Sequence, residues 1–322
     1  MRSVSWWLRF VAAAATVALV VWRLGTGPFL DGVRAVDARA LVAATVIGLL
    51  TTVCCAWRWT IVARGLAVNL SLPAAVAAYY RSVFLNVTLP GGVAGDVHRG
   101  VSHGRDVDDV GRALRVVGWE RAAGQVVQAA LTIVVLVVLP SPVRSFMPLA
   151  VAALVATAIG VVILDRLGAW GGRSRSARLR NAVAGDIRAG LLHRKALPAV
   201  VLASAVVVLG HAVTFVVAAR TAGVTAPVST ILPLVLLAML AMVLPSVAGW
   251  GPREGATAWV FGAAGLGADR GAATAVVYGV MVLVASLPGA FVLAAGWVHR
   301  RERSPLGEHV RVVARPGGAA DA

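Results

Sequence analysis

Charge is scarce in this chain. Only 14% of its 322 residues are Asp, Glu, Lys or Arg, against about 25% in an ordinary soluble domain. That excludes a water-soluble globular fold. Cysteine is confined to one adjacent pair, Cys54 and Cys55, inside an apolar run. Neighbouring cysteines rarely bridge each other, and no metal-ligand spacing exists, so both read as core residues. His98 and His103 with Asp106, Asp108 and Asp109 are too irregularly spaced for a metal site. A nucleophile elbow, a phosphate-binding loop and an HExxH motif are all missing. The apolar runs lack a two-residue alternation, which excludes a β-barrel. Nothing in these absences calls for a cofactor or a metal.

What is present is hydrophobic: 59% of the residues, with a mean hydropathy of +0.84. Several runs approach the roughly 20 apolar residues that cross a bilayer. The expected fold is all-α, a polytopic membrane helical bundle. Six full spans are expected, at about Trp6–Leu24, Ala40–Trp57, Leu114–Leu139, Leu149–Leu164, Leu197–Ala219 and Ala272–Val298. The first could also serve as a signal peptide, but its apolar stretch continues to Trp22 without a convincing cleavage site. Two further runs are too short to cross. One lies between Pro73 and Pro90, the other between Pro233 and Pro245. These are expected to be re-entrant or broken helices.

The net charge of +16 comes from 29 arginines and a single lysine against 14 acids. In a soluble protein it would suggest nucleic acid. Here basic loops facing an anionic leaflet explain it, and nucleic acid is not an expected partner. Residues 165–196 hold eight basic side chains against Asp165 and Asp186 and are placed in the cytoplasm. Arg58 and Arg64, beside tryptophans, suit a cytoplasmic edge. The division that follows is 1–37 as a first helix and polar link, 38–164 as a first membrane half with an elbow at 74–100, and 165–196 as the basic loop. A second half, 197–298, has its elbow at 228–255, and 299–322 forms a basic tail with nothing to bury. Both termini are expected on the cytoplasmic side.

The two elbows resemble each other. Residues 89–100 read LPGGVAGDVHRG and residues 244–255 read LPSVAGWGPREG. Both follow a short apolar run, and each lies between two strong spans. Their re-entrant sides are opposite, so the repeat would be inverted. Broken main chain at membrane depth is tolerated only when sheltered by protein or lining a wet cavity. Matching Gly/Pro-interrupted segments in two halves point to a transporter's central site. The elbow backbone is assigned to Pro90, Gly91, Gly92 and Gly95, and to Pro245, Gly249, Gly251 and Gly255.

NVTLPGGVAGDVHR (86–99), WERAAG (119–124) and LPSVAGWGPREG (244–255) resemble the flippase-like transmembrane family, best known as the membrane region of lysylphosphatidylglycerol synthases, the multiple-peptide-resistance factors. The family pattern maps onto Asn86, Pro90, Gly91, Gly95, Asp96 and Arg99, then onto Gly249, Gly251, Arg253 and Glu254. Ala94 departs from it, where the family more often has Gly. The resemblance implies a bacterial cytoplasmic membrane protein that moves or handles phospholipid or glycolipid. It does not carry aminoacyl transfer, because the large soluble domain that performs it in those synthases has no counterpart in these residues.

Intramembrane charge usually pairs or faces a cavity. Candidate headgroup and cavity residues are Arg81, Asn86, Asp96, Arg99, Glu120, Arg121, Arg253 and Glu254. Asp96 either orients Arg99 or caps a helix. Glu120 and Arg121 point about 100° apart and need different partners. His211 is expected to bond a neighbouring carbonyl. The first functional expectation is a lipid flippase-like transporter for an anionic phospholipid, a glycolipid or a polyprenyl-phosphate-linked lipid. The alternatives are an integral membrane enzyme of lipid modification or an accessory subunit. Expected partners are membrane lipids, a lipid-modifying enzyme or glycosyltransferase, and a second copy in a homodimer.

Overall fold

A computed structural model describes residues 22, 26–89, 92–139, 185–191, 193–194, 196–242 and 250–302. The expected first span apart from Trp22, the fourth span at 149–164, most of the basic loop, Pro90, Gly91, Pro245, Gly249 and the tail from 303 lie outside the described residues. Every regular element among the described residues is a helix. In order these are α1 (Gly27–Ala35), α2 (Ala38–Gly65), α3 (Leu72–Thr88), α4 (Ala94–Asp106), α5 (Val110–Val138), α6 (Ala196–Thr221), α7 (Val228–Ala241), α8 (Pro252–Ala263), α9 (Ala268–Ser286) and α10 (Pro288–Glu302).

Among the described residues four stretches are long and apolar enough to cross a membrane: α2, α5, α6 and Ala268–Trp297, which joins α9 to α10. Local chemistry sets their ends. Asp37 caps α2 by accepting the Ala40 N–H at 2.8 Å, and Asp109 does the same for α5 with Arg112 at 2.8 Å. α3 starts with a proline in its first turn and stops at an extended Leu89, ψ 150°. Leu89 precedes Pro90, and a residue before proline is pushed out of the helical region. α8 starts from Gly251, φ 117°, a conformation that costs glycine nothing.

Three expectations change. The polar link before the second span is helix α1, whose Gly32 packs against α9 beside Ala273 and Val276. Pro233 does not bound the second short run but lies inside α7. The last span is divided near Leu287, where Pro288 opens α10. Proline lacks an N–H and so favours the first helical turn, which is why a new helix starts there.

The two halves follow the same order. A long helix, two short ones and another long one occur as α2–α3–α4–α5 and again as α6–α7–α8–α9. The packing corresponds too. α3 packs on α4 as α7 packs on α8, and α4 on α5 as α8 on α9. α3 also meets α9, just as α7 meets α5. The helices α2 and α6 pack on each other at the centre. One buried cluster joins α6, α7 and α9 around Phe215, Ile231, Leu234 and Met281. Another joins α2, α3 and α5 around Ala56, Trp59, Val62 and Val116. In lipid such packing acts through van der Waals contact and close backbone approach rather than through expulsion of water.

Candidate functional site

The first elbow is held shut by its own polar groups. Asn86, near the end of α3, accepts the Gly95 N–H at 2.8 Å and donates to Asp96 Oδ2 at 3.0 Å. Ser82, one turn earlier, donates to Asp96 Oδ1 at 3.1 Å. α4 can fold back this tightly because position 95 is glycine: a Cβ there would fall on the Ser82 carbonyl. The amide freed by the break is thus satisfied within the elbow, as a buried donor must be.

Behind the elbow lies an ion network. Glu120 of α5, fully buried, accepts Arg58 Nε at 2.9 Å and Arg58 Nη2 at 2.5 Å on Oε1. Its Oε2 accepts Arg99 Nη2 at 2.6 Å, and Tyr79 donates to Oε1 at 3.3 Å. Arg99 also donates to Asp96 Oδ1 at 3.0 Å, and Arg121 pairs with Asp96 Oδ2. Arg58 reaches α6 as well, donating to Ser204 Oγ at 2.9 Å. The Arg99 guanidinium lies between the Trp59 and Tyr79 rings, 4.6 and 4.4 Å from their centroids. Three cations and two carboxylates from α2, α4 and α5 form one network, with one positive charge in excess.

The second elbow has a simpler device. Glu254 reaches back to accept the N–H of Gly251 at 2.6 Å. Its other oxygen takes Arg253 Nε at 2.9 Å and pairs with Nη2. The Arg253 guanidinium sits 5.5 Å from the Trp250 ring and 5.2 Å from the Tyr278 ring. Gly279 of α9 leaves room for it, since a Cβ there would come within 2.5 Å of Nη2. Gly124 serves Arg58 in the same way, with a Cβ falling 2.8 Å from Nη1.

Between the two devices is a cavity of about 320 Å³. Arg58 and Arg121 of the first half and Arg253 of the second line it together. Asn86, Gly92, Thr51, Thr52, Gln125, Gln128, Ser204, His211 and Thr214 add polar wall, and Val83, Val207, Met239 and Met281 add apolar wall. Among the described residues the wall carries no Asp or Glu. The site's three carboxylates, Asp96, Glu120 and Glu254, are all buried behind the arginines.

Several expected residues therefore take other places. Asn86, Gly92, Arg121 and Arg253 reach the cavity. Arg99 does not: its side chain is fully enclosed in the network. Asp96 lies inside the first turn of α4, where Val93 is the cap position, and it holds arginines instead of capping. Arg81 is half-buried on α3, and Gly255 half-buried on α8, neither on the cavity wall. Glu120 and Arg121 have different partners, as their angular separation requires. His211 pairs through Nδ1 with Tyr278 at 3.0 Å rather than with a carbonyl. Arg58 is the main addition: its guanidinium is turned into the protein, and only 4% of its surface is exposed. The sequence signal for it was Glu120, a carboxylate in an apolar span that needs cations from elsewhere. Among the described residues no group of three or more His, Cys, Asp or Glu side chains is gathered to hold a metal.

Residues 6–289 match the family model described as the lysylphosphatidylglycerol synthase TM region. The match covers most of the chain, and the protein belongs to that family. No curated protein matches it significantly.

Proposed function

We propose that this protein moves a phosphate-bearing lipid between the leaflets of the bacterial cytoplasmic membrane, the headgroup passing through the cavity while the acyl chains stay in the bilayer. One observation carries this reading. Arginines from both halves face a single cavity, and the carboxylates that neutralise them sit behind, away from its interior. A phosphate entering there meets guanidinium donors, which bind phosphate through short charge-assisted hydrogen bonds. The size fits a small ligand rather than a whole lipid, since ligand pockets run from about 300 to 1,000 Å³. The same arrangement lowers the penalty of carrying a charged group to membrane depth.

The corresponding order and packing of the two halves support an inverted repeat, with six spans and two broken segments. Rocking of one half against the other would open the cavity to each side in turn. Nucleotide-binding motifs are missing from the sequence, so the drive comes from a gradient or from removal of the transported lipid.

The test is a leaflet-asymmetry assay in proteoliposomes with a tail-labelled anionic phospholipid. Arg121→Gln and Arg253→Gln are each expected to abolish movement while the protein still elutes as a folded species. Wild-type rates in both variants would remove the cavity from the mechanism. A wild-type protein that binds lipid without moving it would leave an accessory role.

A further inference from the structure

One group on the cavity wall changes charge near neutral pH. His211 of α6 is half-buried and lines the cavity, and histidine is the side chain whose ordinary charge change falls between about pH 5 and 8. The other ionisable groups on that wall come from the helices around it. α2 brings Cys55 and Arg58, α3 brings Tyr79, α5 brings Arg121, α8 brings Arg253 and α9 brings Tyr278. α7 brings none. The nearby carboxylates are already engaged. Glu120 is held by Arg58, Arg99 and Tyr79, and Asp96 by Ser82, Asn86, Arg99 and Arg121. Glu254 is held by Arg253 and the Gly251 amide. Among the described residues, His211 is therefore the one cavity group suited to carry a proton.

His211 is linked to the arginine of the second half. Its Nδ1 meets the Tyr278 hydroxyl at 3.0 Å. The Tyr278 ring packs on Phe215 with centroids 4.6 Å apart, and the Arg253 guanidinium lies 5.2 Å from the same ring. The pair has two hydrogen-bond states. A neutral imidazole accepts the phenol proton at Nδ1. An imidazolium carries a proton on both nitrogens, so Nδ1 donates, and the phenol must aim its own proton at another acceptor. A phosphate held by Arg253 supplies that acceptor.

Charge favours the same combination. In the empty cavity an imidazolium would face Arg58, Arg121 and Arg253, with no carboxylate of the described residues on the wall. A phosphate among those arginines brings the missing negative charge. Opposite charges attract strongly in a low-dielectric site. Linkage is reciprocal, so the proton tightens phosphate binding by the factor by which phosphate tightens the proton.

Resting on the translocation reading above, we propose that a proton is a second cargo. His211 takes it up as the lipid phosphate arrives among the arginines, and the two leave together on the other side. The bond made on loading is an imidazole N–H, and the same bond breaks on release. The proton comes from water on one side of the membrane and returns to water on the other. A singly charged phosphodiester and one proton cross as a neutral pair, so the lipid follows the proton away from the acidic side.

The experiment uses the purified full chain in proteoliposomes with tail-labelled phosphatidylglycerol, whose phosphodiester does not titrate near neutral pH. Protein-free vesicles are the control. One side is buffered at about pH 6 and the other at about pH 8, which bracket the histidine range, and potassium with valinomycin clamps the voltage. The label is expected to accumulate in the leaflet on the alkaline side, in either orientation of the gradient, and to even out when nigericin collapses it. His211→Gln is expected to spread the label evenly under the same gradient, at whatever rate it retains. Binding of dioctanoyl phosphatidylglycerol in detergent gives a second readout. The wild type is expected to bind at least about fivefold more tightly at the acidic pH, and His211→Gln to show no such difference. A purely structural role for His211 would weaken binding by the same factor at both pH values. An even distribution in a wild-type protein that moves lipid overturns the coupling and leaves translocation standing. Accumulation on the acidic side, accumulation kept by His211→Gln, or wild-type affinity that ignores pH overturns the coupling too. No movement under any condition sinks both readings.

Discussion

Glu120→Gln tests the ion network most sharply. The substitution keeps the shape of the side chain and removes one charge. In the native network three arginines face two carboxylates; in the variant three face one. Arg58 and Arg99 must then share an amide oxygen in a site with no exposed surface at Glu120. Breaking a buried ion pair from one side costs about 3–5 kcal/mol. The amide oxygen still accepts a charge-assisted bond, so the lower end, about 3 kcal/mol, is expected. Arg99→Met moves the balance the other way. It leaves two pairs, Arg58 with Glu120 and Arg121 with Asp96, with no net charge. What is lost is the stacking on Trp59 and Tyr79, about 1–2 kcal/mol, together with the bonds to Glu120 Oε2 and Asp96 Oδ1, whose carboxylates each keep another arginine. The double variant is the decisive one, because removing a cation relieves the repulsion that Glu120→Gln creates. Thermal unfolding in detergent, followed by tryptophan fluorescence, should rank the midpoints as Arg99→Met above the double variant, and the double variant above Glu120→Gln. A double variant that is additive or worse would refute the charge accounting.

Gly95→Ala should separate α3 from α4, because the added carbon falls on the Ser82 carbonyl. A loss of about 1–3 kcal/mol, read as a lower midpoint, is expected; an unchanged midpoint would mean that the helices do not approach so closely. Orientation is tested by single cysteines in the connecting turns, in a background lacking Cys54 and Cys55. Ala67→Cys and Asp108→Cys should react with an impermeant thiol reagent only from the cytoplasmic side, and Ala222→Cys and Gly265→Cys only from outside. The reverse pattern would invert the topology.

Much of this architecture is legible in single residues. Apolar length alone marks α2, α5 and α6, and Pro90 marks the end of α3 through the geometry it imposes on Leu89. The elbows stand out because glycine and proline are improbable in an uninterrupted span. The partners inside the site are another matter. Arg58 meets Glu120 across 62 residues of sequence, and nothing local distinguishes it from an arginine at the headgroup level, least of all with Trp57 and Trp59 beside it. Arg99 shows the converse: its motif points to function, yet only packing decides that it faces Glu120 rather than the cavity. Gln125 and Gln128 carried a readable signal, since they repeat the face of Arg121 at helical spacing. α1 is hidden because its neighbour α9, which covers one side of it, lies more than 200 residues away.

The two charged devices differ in how many helices they join. Arg58, Arg99 and Arg121 tie α2, α4 and α5 together through shared carboxylates, so any shear among those helices must part ion pairs whose carboxylates are buried. Arg253 has its carboxylate on the adjoining residue of the same helix and can travel with α8 without parting from it. If the protein works as a machine of two arms, the first is the stator, and the stroke belongs to the second.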